Sequence, residues 1–350
     1  MFYASAISFV ISVVLVPLII QFCKKYSLYD SVNARKIHSG NIPRLGGVGI
    51  IIAFFAGCII YTLVMKRLPF LRILPLLVSS LLIFGFGLLD DLLDLPAKLK
   101  FAVQLTASCI VVFFGFRFKQ IFGWVLPSWI SYPLSIGWML GIINAYNLID
   151  GLDGLCGGLS FLTLLTIGII FFSFGDRSAS MCFIMAAAIL GFLIYNWPPA
   201  KIFMGDNGSQ FMGFMIAASP LYFSHDNFEY NKFAIMLVLV SIPMMDTIAA
   251  IWRRLRDHRP IMSPDRAHLH HKLLNLGYTR KQAMLLLLFI QFLLCVTVVL
   301  AMYLSRSKGA ILLGVSYVFM IFFFSWVHFT NRAVLRAWKR THPEEDDLPS

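Results

Sequence analysis

The chain has 350 residues, 59% of them apolar and 13% charged, with 33 Phe and a mean hydropathy of +0.80. That excludes an ordinary soluble domain, in which about 25% of residues are charged, and indicates an all-α polytopic membrane protein. The net charge of +12 requires no nucleic acid, because cytoplasmic loops of membrane proteins collect Lys and Arg.

In chain order, eleven apolar stretches of near-spanning length lie at 2–22, 46–65, 70–89, 99–116, 132–148, 157–175, 180–195, 209–224, 232–252, 283–304 and 308–327. The first has no basic residue ahead of it and no small-residue cleavage site, so it reads as an uncleaved span. The six Cys are scattered, mostly inside these stretches, without metal-type spacing, and read as small core hydrophobes.

Orientation follows from the basic residues. The loops 23–45, 90–100, 149–156, 196–208, 253–282 and 328–350 hold 20 of the 29 Lys and Arg, which puts them in the cytoplasm. The N-terminus is then outside and the C-terminus inside. The organisation expected is one transmembrane catalytic domain over 1–328, with a long cytoplasmic loop at 253–282 and a cytoplasmic tail at 329–350.

The polar clusters all fall in the cytoplasmic set. Asp90, Asp91 and Asp94 close the third stretch, and on a helix they line one edge. Such a cluster either marks the interface or needs a cation to offset it. Lys100 follows, as an anion contact or a topological anchor. Asn144, Asn147 and Asp150 recur every three residues, and Gly151 and Gly154 open the chain around Asp153. Two amides and two carboxylates offer oxygen, as Mg2+ prefers, and nothing for zinc.

Gly205-Asp206-Asn207-Gly208-Ser209 precedes the eighth stretch, where free N–H groups at a helix start favour phosphate. An Asp there repels phosphate unless a metal joins the two, or it serves simply as a helix cap. The loop from Arg253 to Lys272 packs arginines with Arg266, His268, His270 and His271, a set suited to anions more than to zinc. His38 and Arg44 lie in a basic loop before the second stretch, which reads either phosphate or the membrane surface. Asp246 is a lone acid inside the ninth stretch.

Jointly, the matching strings resemble the polyprenyl-phosphate N-acetylhexosamine-1-phosphate transferase family. They are Arg35-Lys36-Ile37-His38 with Pro43-Arg44-Leu45-Gly46-Gly47, the Asp90-Asp91 pair, Asn144 to Gly154, Phe203 to Ser209, and Asp265 to His271. They stand in family order over residues 33–272, and the last loop is similar to the branch that transfers N-acetylglucosamine-1-phosphate. The branch that builds lipid I carries three consecutive His, which this chain lacks.

The resemblance implies transfer of N-acetylglucosamine-1-phosphate from UDP-N-acetylglucosamine to undecaprenyl phosphate, releasing UMP. It implies Mg2+ on Asn147 and Asp206, with Mn2+ as a substitute. Asp90 and Asp91 would orient or deprotonate the lipid phosphate, with Asp150 and Asp153 shaping the nucleotide pocket or supporting the metal shell. Lys100, Asn144, Arg44, His38, Arg266, His268, His270 and His271 would bind substrate. It further implies a multi-pass protein of the bacterial inner membrane, a homodimer, and a product that feeds cell-surface glycans such as lipopolysaccharide or teichoic acid.

Two further readings stand beside this. An intramembrane prenyltransferase shares an Asn147-xx-Asp150-xx-Asp153 pattern but has no place for the Gly-Asp-Asn-Gly-Ser and His-rich loops. A cation-coupled transporter calls for ionisable groups at midplane, where this chain has Asp246 alone.

Overall fold

The computed structural model describes residues 1–29, 42–65, 70–222, 225–260 and 268–341. The order is α1 (Phe2–Lys25), α2 (Gly46–Met65), α3 (Phe70–Leu93), α4 (Ala97–Phe113), a hairpin of β1 (Gln120–Ile121) and β2 (Trp124–Val125), then α5 (Ser128–Ile149). There follow α6 (Leu155–Ser173), α7 (Ala179–Asn196), α8 (Gly205–Tyr222), α9 (Asp226–Leu239), α10 (Ser241–Arg256), α11 (Leu269–Asn275), α12 (Arg280–Tyr303) and α13 (Arg306–Thr341). Long apolar runs fold this way because hydrocarbon offers no partner to a backbone N–H or C=O, so each segment must satisfy its own.

Among the described residues, seven helices, α1, α2, α3, α6, α7, α12 and α13, are long and apolar enough to cross a bilayer, and the bent pair α9–α10 makes an eighth if counted as one span. Each of the eleven apolar stretches coincides with a helix or with that bent pair. Three of them, α4, α5 and α8, fall outside the set that qualifies on length and apolarity. The protein is therefore an all-α, multi-pass membrane protein.

Small residues let the helices approach. One face of α1 is Ala4, Ser8, Ser12, Val16 and Cys23, all buried, while Val10, Val14 and Leu18 remain exposed on the outside of the bundle. The Ser8 hydroxyl lies 2.9 Å from the Ala53 carbonyl of α2 and 3.1 Å from the Ile184 carbonyl of α7, so one small polar group joins three helices. At the centre stands α8, buried from Asn207 to Leu221 and packed against α2, α3, α5 and α6.

The break between α9 and α10 turns the chain by 67°. Its cause is legible: Pro243 has no N–H to give the Leu239 carbonyl four residues back. Gln291 of α12 supplies the missing donor, its Nε2 2.9 Å from that carbonyl. At the C-terminus, α13 runs through residue 328, where the tail was expected to begin, and on to Thr341. Asn331, in the stretch read as tail, accepts a hydrogen bond of 3.1 Å from Asn275 of α11.

Candidate active site

The cluster assembles at one end of the bundle, around the first turn of α8. Gly205 begins that turn at φ +78°, a conformation that favours glycine, and a Cβ there would lie 2.2 Å from the Arg44 carbonyl. A Cβ on Gly87 of α3 would fall 2.6 Å from the Asn207 Cα, so α3 and α8 cross where only glycine fits. The segment before α2 is pinned alongside: Phe203 N–H donates to the Pro43 carbonyl at 2.7 Å, and Gly47 N–H to the Met204 carbonyl at 2.8 Å.

Asp91, near the end of α3, faces this turn. Its Oδ1 accepts the Asp206 N–H at 2.9 Å, and its Oδ2 accepts the Asn207 N–H at 3.0 Å and the Asn207 amide. It thus caps α8 from another helix, satisfying N–H groups that a helix start leaves without an intrahelical partner. Asp91 is 5% exposed, and three donors converge on its two oxygens.

Asp206 is placed differently. Its side chain is 33% exposed and its neighbours come from three helices. Oδ1 accepts from Asn147 Nδ2 of α5 at 3.0 Å, and Oδ2 lies 3.3 Å from Lys100 Nζ of α4 and 3.4 Å from Gln210 Nε2. Lys100 also reaches Asp90 Oδ2 at 2.5 Å, while Asp90 Oδ1 accepts the Leu95 N–H at 2.9 Å. From Asp206 a line of side-chain amides runs inward: Gln210 to Gln104 at 3.1 Å, and Gln104 to Asn144 at 2.8 Å. Neither Gln104 nor Gln210 was singled out as a site residue. Their signal was present, since an amide inside an apolar stretch is costly without a partner.

The structure thus brings together Asp90, Asp91, Lys100, Asn144, Asn147 and Asp206. Asp153 serves another contact, its Oδ2 accepting the Ala200 N–H at 3.1 Å and tying the α5–α6 turn to the loop before α8. Asn196, which sequence reasoning missed, braces the same turn by accepting the Gly154 N–H at 3.0 Å. Asp150 caps the C-terminus of α5. Arg44 lies 3.6 Å from Asp94. His38 and Arg266 fall outside the described residues.

The histidines form a second group. His270 packs its ring on Gly151, where a Cβ would fall 2.9 Å from its Cε1. Burial, with the neighbouring His271 adding to it, pushes the His270 pKa down to about 3, so this ring is neutral at neutral pH. His268 Nδ1 lies 2.9 Å from Asp246 Oδ2 of α10.

The donor set of the first group is rich in oxygen. The carboxylates of Asp90 and Asp206 share the ammonium of Lys100. The side-chain partners of Asp206 are Asn147, Lys100 and Gln210, none of them sulfur or imidazole. Among the described residues no three acid, His or Cys side chains converge as a ligand cage. That pattern fits Mg2+, which takes one or two carboxylates and completes its shell with water and substrate phosphates. It does not fit zinc.

The family model described as glycosyl transferase family 4 matches residues 73–224, which run from α3 to α8. The chain is 33% identical over 302 residues to a probable undecaprenyl-phosphate N-acetylglucosaminyl 1-phosphate transferase of Bacillus subtilis, covering 85% of this chain and 83% of the relative. It is 33% identical over 328 residues to the undecaprenyl-phosphate alpha-N-acetylglucosaminyl 1-phosphate transferase of Escherichia coli K12, covering 90% and 86%. A decaprenyl-phosphate N-acetylglucosaminephosphotransferase of Mycobacterium leprae is 33% identical over 318 residues, covering 80% and 78%.

Proposed function

Since the chain belongs to glycosyl transferase family 4, with relatives named for N-acetylglucosamine-1-phosphate transfer to polyprenyl phosphates, we propose that it catalyses that transfer from UDP-N-acetylglucosamine to undecaprenyl phosphate. A phosphate oxygen of the lipid attacks the sugar-bearing phosphorus of the nucleotide. The bond between that phosphorus and the bridging oxygen breaks, and UMP leaves with the electron pair. The products are undecaprenyl-diphospho-N-acetylglucosamine and UMP.

The observation that carries this reading is the head of α8, where Asp206 is reached by Lys100, Asn147 and Gln210 from three helices. The nucleophile is the lipid phosphate, so no serine or cysteine is needed. The protein's task is to hold two anions together and offset their repulsion. Lys100, about a third exposed and 2.5 Å from Asp90, can meet the lipid phosphate while Asp90 orients the ammonium. Asp206 and Asn147 would hold Mg2+, with Mn2+ as a substitute. When bound, that ion neutralises the diphosphate and draws charge from the leaving oxygen. Asp91, with its oxygens occupied by the α8 turn, keeps Asp206 in position.

The same reading extends to the membrane. Helix α8 is enclosed by α2, α3, α5 and α6, so little lipid contact is required of it, while α4 packs on α3 and α5 and leaves Phe101 and Phe113 exposed as a lipid-facing helix would, and this supports eleven spans. With the basic loops inside, the site opens to the cytoplasmic leaflet of a bacterial inner membrane. A homodimer is part of the proposal by resemblance alone.

The test is UMP release by purified protein given undecaprenyl phosphate, Mg2+ and a panel of UDP-sugars. Release dependent on both lipid and metal, greatest with UDP-N-acetylglucosamine, is expected. Release from prenyl diphosphates in its place, or none from any UDP-sugar, overturns the reading.

A further inference from the structure

Asp246 lies outside the carboxylate cluster, on α10 beyond the Pro243 break, and is 1% exposed. A buried carboxylate is unfavourable unless its oxygens find donors. Both do. Oδ2 is 2.9 Å from His268 Nδ1, and Oδ1 accepts the Leu269 N–H at 2.8 Å. One side chain therefore fixes the direction of the His268 ring and the first peptide N–H of α11.

A carboxylate is an acceptor only, so the Nδ1 facing it carries the proton. The other ring nitrogen, Nε2, has no hydrogen bond among the described residues. His268 and His270 lie with their rings parallel, centroids 6.0 Å apart, and His270 rests on Gly151 in the turn that follows Asn147. The imidazole with the undirected nitrogen thus stands beside the turn that closes α5.

The geometry points to Asp246 as a positioning residue for the transfer reaction: it accepts a hydrogen bond from the protonated Nδ1 of His268, so that Nε2 is the nitrogen turned to the nucleotide sugar. Contact of Nε2 with that substrate rests on the function proposed above; the tautomer does not. Carboxylates that orient metal-bound imidazoles change activity about 10–100-fold when replaced, without touching substrate themselves, and an effect of that order is expected here.

Two measurements test this. The first is kinetic, on the full-length purified protein, comparing Asp246→Asn, His268→Gln and the double variant. Asp246→Asn is expected to lower kcat for UMP release about 10–100-fold, with KM for the sugar nucleotide changed less than about 3-fold. In the His268→Gln background the same substitution is expected to cost less than about 3-fold more. A full additional loss in the double variant overturns the proposal, because Asp246 would then act on the fold and not through His268. The second is nitrogen NMR of the wild-type protein labelled at histidine, with the His268 signals assigned by their absence in His268→Gln. Protonation at Nδ1 is expected, and an Nε2-protonated ring overturns the proposal even if Asp246→Asn fails to fold. This readout needs no substrate, so a protein that released no UMP would sink the functional reading and leave the assignment of Asp246 to be decided by the spectrum.

Discussion

Lys100 and Lys232 are each held beside a carboxylate, at opposite ends of the bundle, and they are built on different plans. Lys232, near the start of α9, is 1% exposed and pairs at 2.6 Å with Glu229, three residues before it on the same helix. Its partner is local and matched one to one, and the Phe228 ring lies 5.6 Å from its ammonium. Lys100 is 32% exposed and contacts Asp90 and Asp206, the latter 106 residues away, with Asp91 close behind. Among the described residues one carboxylate pairs with Lys232, whereas two share Lys100. A closed, matched pair settles a buried cation within its own helix; an open, shared one is suited to receive ions from outside.

The difference can be broken by substitution. Lys100→Met is expected to reduce UMP release about 10²–10³-fold, the range for loss of one electrostatic group at a reacting phosphate, with folded protein still recovered. Lys232→Met should do the reverse. It leaves Glu229 buried without its cation and costs about 3–5 kcal/mol of stability, read by thermal unfolding in detergent, while the folded fraction turns over normally. Adding Glu229→Gln to it should restore much of the loss, since removing both charges leaves neither one stranded.

Asp91→Asn sharpens the same contrast inside the site. The amide turns an N–H toward donors of α8, so about 1–3 kcal/mol of stability should go together with about a tenfold loss of turnover. If turnover vanished with stability unchanged, Asp91 would be acting on substrate directly.

How much of this was readable beforehand depends on the reach of each interaction. The apolar stretches announced the helices because hydropathy is local. The break before α10 was also written locally, in Pro243, but the run 232–252 is apolar enough, despite Lys232 and Asp246, to read as one span and hid it. The hairpin at 120–125 has two residues in each strand, too few to show alternation. The continuation of α13 past the apolar stretch to Thr341 was not read, because hydropathy marks a span and not where a helix ends, although Ala, Leu, Arg and Lys are good helix formers. In the site, residue type marked the acids but not their duties. Asp91 and Asp153 differ from Asp206 only through backbone N–H groups contributed 47 or more residues away, which no local pattern reveals.

The smallest effect concerns the histidine group. His270 has its pKa lowered from 6.5 to about 3 by burial, so between those values the unfolded chain binds a proton that the folded one does not. Stability from this group is complete above pH 6.5 and falls as pH drops toward 3, by about 1.4 kcal/mol per pH unit at most. His270→Gln should flatten that acid limb, as followed by thermal midpoints between pH 7 and pH 5.

The claim at the centre is that the exposed carboxylate at the head of α8 is where the reaction takes place. Metal-dependent UMP release by purified Asp206→Ala, measured beside its thermal midpoint, tests it directly. A loss of about 10²–10³-fold or more is expected, with the midpoint held near wild type. Release at close to the wild-type rate would contradict it.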